Sequence, residues 1–162
     1  MTNNIQIKLV DYTNPQDAQQ LVGLLNEYAE DPMGGGKSLE ESVQDTLCEK
    51  LNEYGNAFSL IAYVDDQPAA LMNCIKGFST FKAKPLINIH DVMVSRQYRG
   101  QGLSRLLFVK AEDMAREMGC CKLTLEVLEG NVLAIQAYKN FGFAAYELDP
   151  EVGKALFFEK AL

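Results

Sequence analysis

The sequence predicts a single α/β domain in which a mixed, mostly antiparallel sheet of about seven strands carries helices on both faces. Apolar residues alternate with a period of two in some segments and with the helical period of about 3.6 in others. These segments follow one another in the order β-α-α-β-β-β-α-β-α-β-β. The strand-helix-strand unit around a glycine-rich turn at residues 97–104 should pair its strands in parallel with a right-handed crossover.

The N-terminal part of the chain predicts a strand and then a helix. Apolar and polar residues alternate from Ile5 to Leu9, which is typical of a strand. Asn14 and Pro15 supply a helix cap and a first-turn proline, and apolar residues at helical spacing continue to about Glu30. The glycines at 34–36 then break the helix, as a mobile lid or as a simple connector.

A second helix and a hairpin come next. The helix is predicted to begin at Ser38, with a capping box to Glu41, and to end at Gly55. Two strands, from Phe58 to Val64 and from Ala69 to Phe78, are joined by a short polar turn.

The rest of the chain centres on a nearly continuous apolar strand from Leu86 to Val94, which predicts a central position in the sheet. A long amphipathic helix follows from Leu103 and ends at Gly119. The remaining predicted elements are a strand from Leu123 to Val127, a short helix from Asn131 to about Asn140, and two final strands around Phe143 to Leu148 and Ala155 to Phe158.

The turn between the central strand and the long helix predicts an anion site. Gly100 and Gly102 allow a sharp turn and a close approach of the backbone to a ligand, and Arg99 and Arg105 flank them. The N–H groups of the new helix point at bound anions. A P-loop is excluded because no Lys-Ser/Thr follows the last glycine. A dinucleotide-binding fingerprint would need a small residue in place of Arg105. A turn without a ligand remains the alternative.

Composition limits the class of protein. The 162 residues suit one domain, and the net charge of −7 disfavours nucleic acid and favours a cationic small molecule. Met1 to Asn4 lack a basic segment leading into an apolar run, and no window is apolar enough for a membrane span, so we expect a cytoplasmic protein that is not exported. The cysteines lack metal-site spacing and predict reduced thiols and no metal. They are Cys48, Cys74, Cys120 and Cys121.

Two motifs in this order of elements carry a family resemblance. They are Gln97-x-x-Gly100-x-Gly102 after one strand and Asn131-x-x-Ala134-x-x-x-Tyr138-x-x-x-Gly142-Phe143 after the next. Together they resemble the GNAT superfamily of acyl-CoA-dependent N-acyltransferases over the whole chain. The segment Ile89–Val94 is most similar to the spermidine/spermine branch, which acts on small amines.

The resemblance implies a binding mode for acetyl-CoA as the acetyl donor. It implies a sheet splayed at its central parallel pair, with Met93 and Val94 pairing through their backbone with the pantetheine arm. Asn131 caps its helix and can also hydrogen-bond that arm. The pyrophosphate would be held by the backbone of Arg99, Gly100, Gln101, Gly102, Leu103 and Ser104.

Acetyl transfer to an amine needs a neutral amine and a proton for the departing thiolate. The family resemblance implies that Tyr138 is the acid that protonates the thiolate. The amphipathic pattern alone favours simple packing beside Phe141. His90, the only histidine, stands where the small-amine branch carries a glutamate, and imidazoles titrate near neutral pH. Glu126 is a second candidate base. A hydrogen-bonded core histidine and a merely paired glutamate remain alternatives, and Asp91 should point to the opposite face from His90.

The acceptor site is expected near the end of the first helix, where Tyr28, Glu30 and Asp31 could receive a cationic amine. The sequence therefore predicts N-acetylation of a small, cationic primary amine by direct attack, in a protein that family habit makes a homodimer. The alternatives are acetylation of a protein lysine or N-terminus, and a regulatory module that binds coenzyme A without turnover.

Overall fold

A computed structural model describes residues 4–162 and divides into two compact units, one ending at Leu128 and the other covering Glu129–Leu162. Met1 to Asn3, on which the prediction about export partly rests, lie outside the described residues. In the described part of the chain, no helix is long and apolar enough to cross a membrane.

The first unit is built on a five-stranded sheet whose strands lie in chain order. The first three pairings are antiparallel and the last is parallel, so the predicted mixed, mostly antiparallel sheet is confirmed. The strands are β1 (Ile5–Leu9), β2 (Ala57–Val64), β3 (Gln67–Ser79), β4 (Lys84–Val94) and β5 (Leu123–Leu125).

Three helices of this unit cover both faces of the sheet. They are α1 (Pro15–Glu30), α2 (Glu41–Tyr54) and α3 (Leu103–Glu117). Helices α1 and α2 pack on the face that carries Ile61, Tyr63 and Leu71. Strand residues alternate between faces, so Leu60 and Ala62 point to the other side, where α3 buries its apolar stripe.

The helix cap predicted at Asn14 and the turn predicted between β2 and β3 both form. Asn14 caps α1 through bonds from the N–H groups of Gln16 and Asp17. Asp65 and Asp66 both have positive φ, 48° and 64°, which makes the β2–β3 turn a two-residue type I′ hairpin.

Strand β4 contains a β-bulge at His90. Asn73 lies opposite Asp91 and Cys74 opposite Ile89, so His90 has no partner on β3. The bulge cancels one step of the alternation between faces. Asn88 lies opposite Ile75, which shares a face of β3 with Asn73, so the bulge brings Asp91 and the Asn88–His90 pair to one side of the sheet. The prediction that His90 and Asp91 face opposite ways is wrong.

The parallel pair is short. Only Ile87–Ile89 of β4 pair with Leu123–Leu125 of β5, and β4 continues alone to Val94. The predicted splaying at the central parallel pair is confirmed, although β5 ends two residues before the predicted Val127.

The predicted start of the second helix, at Ser38, is wrong. Helix α2 begins at Glu41 without a side-chain cap, and the Ser38 hydroxyl donates to Glu30 Oε1 at 2.6 Å, so the capping box is absent.

The second unit, Glu129–Leu162, contains α4 (Val132–Phe141) and one isolated antiparallel bridge between Glu147 and Lys154. The predicted strands at 143–148 and 155–158 do not form, so the described residues hold five strands and not seven. Leu156, Phe157 and Phe158 are exposed, and a two-stranded ribbon without a buried face is marginal in water.

Candidate active site

The turn before α3 has the backbone geometry of an anion cradle. Gly100 and Gly102 adopt positive φ values of 79° and 76°, which residues with a Cβ rarely tolerate. Gly102 is the N-cap of α3, and no side chain caps the helix there. The N–H groups of a first helical turn have no acceptor within the helix, and the helix dipole favours negative charge at this end. The backbone around Leu103 and Ser104 therefore fits a pyrophosphate.

The edge of β4 beyond Ile89 leads directly into this cradle. Met93 and Val94 pair with β3 on one side, and within residues 4–162 no strand pairs with the other side of this segment. Met93 is buried in the core cluster, and the Val94 carbonyl accepts from Arg99 Nε at 3.1 Å. An extended ligand can add to such an edge as a further strand, which is the pairing predicted for the pantetheine arm.

Ion pairs tie the end of α1 to the cradle. Asp31 Oδ2 lies 3.3 Å from Arg99 Nη2 and 3.8 Å from Arg96 Nη2. The Met33 N–H bond and the Arg99 guanidinium hold the pKa of Asp31 below its ordinary value. One helical turn earlier, Glu27 accepts from Ser95 Oγ at 2.9 Å and from the Arg96 N–H at 3.2 Å. These contacts could not be predicted from the sequence, because nothing in the local pattern pairs residues almost seventy positions apart.

The other two predicted acceptor residues lie on the same helix with different partners. Glu30 accepts from Ser38 Oγ at 2.6 Å and from Asn26 Nδ2 at 3.1 Å. Tyr28 is half-buried, and its pKa is raised by burial and then by the charges of Asp91 and Asp31. Tyr28 therefore lies near carboxylates from both α1 and β4.

The two candidate bases of the sheet meet through an asparagine. His90 is exposed, and its Nδ1 lies 3.3 Å from Asn88 Oδ1. Asn88 Nδ2 donates to Thr124 Oγ1 at 3.0 Å and lies 3.3 Å from both carboxylate oxygens of Glu126. The interpretation of His90 as a core residue is wrong, since the bulge turns it to solvent.

A buried polar chain crosses the sheet behind Asp91. Tyr12 OH lies 2.8 Å from Ser59 Oγ, which donates to Asn73 Oδ1 at 2.6 Å. Asn73 Nδ2 donates to Asp91 Oδ2 at 3.0 Å. Ser59 and Asn73 are buried, so these bonds satisfy groups that water cannot reach. This polar chain could not be predicted from the sequence, because small polar residues in apolar strands carry no periodic signal.

Burial suppresses the reactivity of the Cys74 thiol. Burial and then the charge of Asp91 raise the pKa of the Cys74 thiol to about 12, which leaves it protonated and unreactive. All four cysteines are free. Within the described residues, His, Cys, Asp and Glu form no group of three or more that could hold a metal ion. The expectation of a metal-free reaction stays a prediction.

Helix α4 carries the remaining predicted residues. Asn131 is the N-cap and accepts from the Ala134 N–H at 3.3 Å, so its predicted capping role is confirmed. Tyr138 lies one turn before the helix end and packs edge-to-face with Phe143, with ring centroids 6.2 Å apart. Tyr138 therefore takes part in aromatic packing, here with Phe143.

Comparison with known proteins decides the family. The model of the acetyltransferase (GNAT) family matches residues 21–143. The chain belongs to the GNAT family. It is 31% identical over 132 residues to a thialysine N-epsilon-acetyltransferase of Caenorhabditis elegans, covering 80% of this chain and 78% of the relative. The predicted enzyme class, an acetyl-CoA-dependent N-acetyltransferase, is confirmed.

Solved structures show the same GNAT fold. A probable acetyltransferase superposes with a TM-score of 0.80 at 22% identity, covering 96% of this chain and 98% of that one. An aminoglycoside N-acetyltransferase in complex with CoA gives a TM-score of 0.75 at 13% identity, covering 99% of this chain and 97% of that one. At these identities the likeness concerns the fold alone. GNAT acetyltransferases take their acetyl group from acetyl-CoA, which agrees with the cradle before α3.

Proposed function

We propose that this GNAT acetyltransferase transfers the acetyl group of acetyl-CoA to a primary amine of a small, cationic molecule by direct attack. The observation that supports acetyl-CoA as the donor is the turn with positive-φ glycines at the uncapped start of α3. This turn directly follows the open edge of β4. The acceptor half rests on the net charge of −7 and on the relative named for thialysine acetylation.

The donor site is assigned to the open edge of β4 and to the turn before α3. The backbone of residues 99–104 would hold the pyrophosphate, and Met93 and Val94 would pair with the pantetheine arm. Asn131 would add a hydrogen bond to that arm. When bound, acetyl-CoA supplies an acetyl group activated as a thioester.

The chemical roles fall to side chains that can move protons. His90 Nε2 takes a proton from the substrate ammonium, with Glu126 as the alternative base. The amine nitrogen then forms a bond to the acetyl carbon as the carbon–sulfur bond breaks, and this nitrogen loses its second proton to solvent. Tyr138 gives its phenolic proton to the departing thiolate and regains one from solvent. The products are the N-acetylated amine, coenzyme A and one proton.

Acceptor recognition is assigned to the end of α1. Tyr28 and Glu30 lie in the last turn of α1 and Asp31 is its C-cap, with Asp91 close to Tyr28. Carboxylates at the mouth of such a site attract a cationic amine and increase its rate of encounter.

We further infer that residues 1–162 work as one N-acetyltransferase domain in a cytoplasmic homodimer. The family match at 21–143 runs through the boundary at Leu128, which supports a single functional domain. The free cysteines suit a reducing compartment. Light scattering over a range of concentrations would measure the dimer, and a monomer at all concentrations would refute it.

The deciding experiment incubates the protein with acetyl-CoA and a panel of polyamines, amino acids, aminoglycosides and lysine peptides, with products identified by mass spectrometry. We expect turnover on a small amine, and loss of rate with retained coenzyme affinity in His90→Gln and Tyr138→Phe. Preference for peptides would support a protein acetyltransferase. Binding of acetyl-CoA without turnover on any amine would support a regulatory module.

A further inference from the structure

A side chain without an assigned role lies between the two candidate bases. Asn88 pairs with Ile75 of β3 on one side and with Thr124 of β5 on the other, so its backbone is held in both ladders. His90 lies two residues further along β4 at the bulge, and Glu126 lies two residues beyond Thr124. The side chain of Asn88 reaches both, at 3.3 Å in each case.

The hydrogen bonds fix the orientation of the Asn88 amide. An ionised carboxylate only accepts hydrogen bonds, so the amide nitrogen must face Glu126. The amide oxygen then faces His90, and because it only accepts, Nδ1 of His90 must carry a proton. In a neutral imidazole this leaves the lone pair on Nε2.

We propose that Asn88 is a positioning residue that holds His90 in the Nδ1–H form and links it to the carboxylate of Glu126. This inference rests on the proposed function, in which Nε2 of His90 receives the proton of the substrate ammonium. When Nε2 is protonated, the ring gains a positive charge. The Asn88 carbonyl dipole faces that charge, and the anionic Glu126 lies on the far side of the same amide. The proton then leaves Nε2 for solvent, and the ring returns to the Nδ1–H form.

The arrangement gives one role to each of three residues. His90 exchanges the proton, Asn88 selects the ring nitrogen that exchanges it, and Glu126 orients Asn88. The backbone of Asn88 is paired with strands on both sides, which suits a residue that must hold the imidazole ring of His90 in one orientation. A bulge position suits His90, because a residue outside the β3 ladder can face a substrate.

The first test reads the tautomer directly. The chain has a single histidine, so a long-range ¹H–¹⁵N correlation spectrum contains one imidazole. At about pH 8, where an ordinary imidazole is neutral, we expect protonated Nδ1 and unprotonated Nε2 in the wild type. Asn88→Ala should shift the ring toward the Nε2–H form. A wild-type ring already in the Nε2–H form would overturn the proposal.

The matched control is Thr124→Val, which removes the 3.0 Å bond to the same amide nitrogen but leaves the contacts of Asn88 with His90 and Glu126. We expect this variant to keep the wild-type tautomer. The spectrum needs no substrate, so it decides the role of Asn88 even where acetyl transfer is not observed.

The second test is a double-mutant cycle on kcat with the best amine of the panel. We expect Asn88→Ala to lower kcat about tenfold and His90→Ala about a hundredfold. In the His90→Ala background, Asn88→Ala should cause no further loss, since it acts through the ring. An equal loss in both backgrounds would refute the positioning role. Full activity of His90→Ala would refute the proposed base and not the tautomer assignment.

Discussion

At the residue scale, Asn73 stands out because its amide satisfies two other polar groups inside the sheet. It accepts from Ser59 Oγ and donates to Asp91 Oδ2, and only 6% of its surface is exposed. Removing one member of a buried hydrogen-bonded chain leaves its partners without a bond and without water.

We expect Asn73→Ala to lower the free energy of unfolding by about 2 kcal/mol, because the Asp91 carboxylate loses its donor. Urea unfolding monitored by circular dichroism would measure this. Asn140→Ala on exposed α4 is the matched control and should change stability by less than about 0.5 kcal/mol. Equal effects of the two variants would show that the chain contributes little.

The ionisation of the Asp31 carboxyl makes the stability of the fold depend on pH. Its pKa in the folded state is held below the ordinary value of 3.8, chiefly by the Met33 N–H bond and then by Arg99. A carboxyl with a depressed folded pKa contributes stability that is complete above the ordinary pKa and is lost as pH falls through the folded one.

The expected result is that Asp31→Asn makes stability less sensitive to pH below about 4. Thermal unfolding of wild type and variant between roughly pH 2 and pH 6 would measure the difference. Asp113→Asn, an exposed carboxyl on α3, serves as control. If wild type and Asp31→Asn lose stability in parallel, the contacts of Asp31 do not favour its ionised form.

At the element scale, the end of α1 depends on a close approach of the backbone. A Cβ at Gly34 would lie 1.9 Å from the Tyr28 carbonyl oxygen and 3.2 Å from Ala29 Cα. The 3₁₀ helix Pro32–Gly34 and the N–H bonds of Gly34 and Gly36 to the Asp31 carbonyl hold the segment against α1. Within the triple glycine, Gly34 is therefore the position that requires the absence of a Cβ.

Gly34→Ala should lower stability by about 2 kcal/mol, because rigid backbone cannot give way to the methyl group. Gly23→Ala in exposed α1 has nothing within 4 Å of the new Cβ and should raise stability by up to about 1 kcal/mol. Differential scanning calorimetry of both variants checks the pair. A Gly34→Ala protein as stable as wild type would show that the segment does not need the close approach.

At the scale of the whole molecule, binding of acetyl-CoA should stabilise the folded chain through the turn before α3. A ligand that binds only the folded state adds about 2.7 kcal/mol at a concentration of 100 times its Kd. A glutamate at position 102 would be strained by the positive φ of this position, and it would place a negative charge beside the proposed pyrophosphate site.

We therefore expect Gly102→Glu to abolish the rise in Tm that acetyl-CoA causes in the wild type. Gly55→Glu is matched in charge and in backbone conformation, since Gly55 has φ 69° at the end of α2, and it should keep the rise. Calorimetric titration with acetyl-CoA would confirm the difference. Unchanged affinity in Gly102→Glu would remove the cradle from the donor site.

Much of the fold followed from local patterns. Positive-φ glycines at 100 and 102, the Asn14 cap and the helical apolar stripe of α3 are properties of short segments, so they can be seen in the sequence. The final two strands were predicted from the same kind of pattern and did not form, because a strand also needs a partner and a buried face.

By itself the sequence determined the fold class, the GNAT family and the position of the glycine turn before α3, because these rest on periodicity, turn chemistry and motif spacing. Only the tertiary structure decided which polar groups meet. The bulge at His90, the Asn88 bridge to Glu126 and the pairing of Asp31 with Arg99 all depend on strand register and packing between distant segments. A shift of one residue in register reverses every side chain on a strand, so such contacts exist only once the sheet has formed.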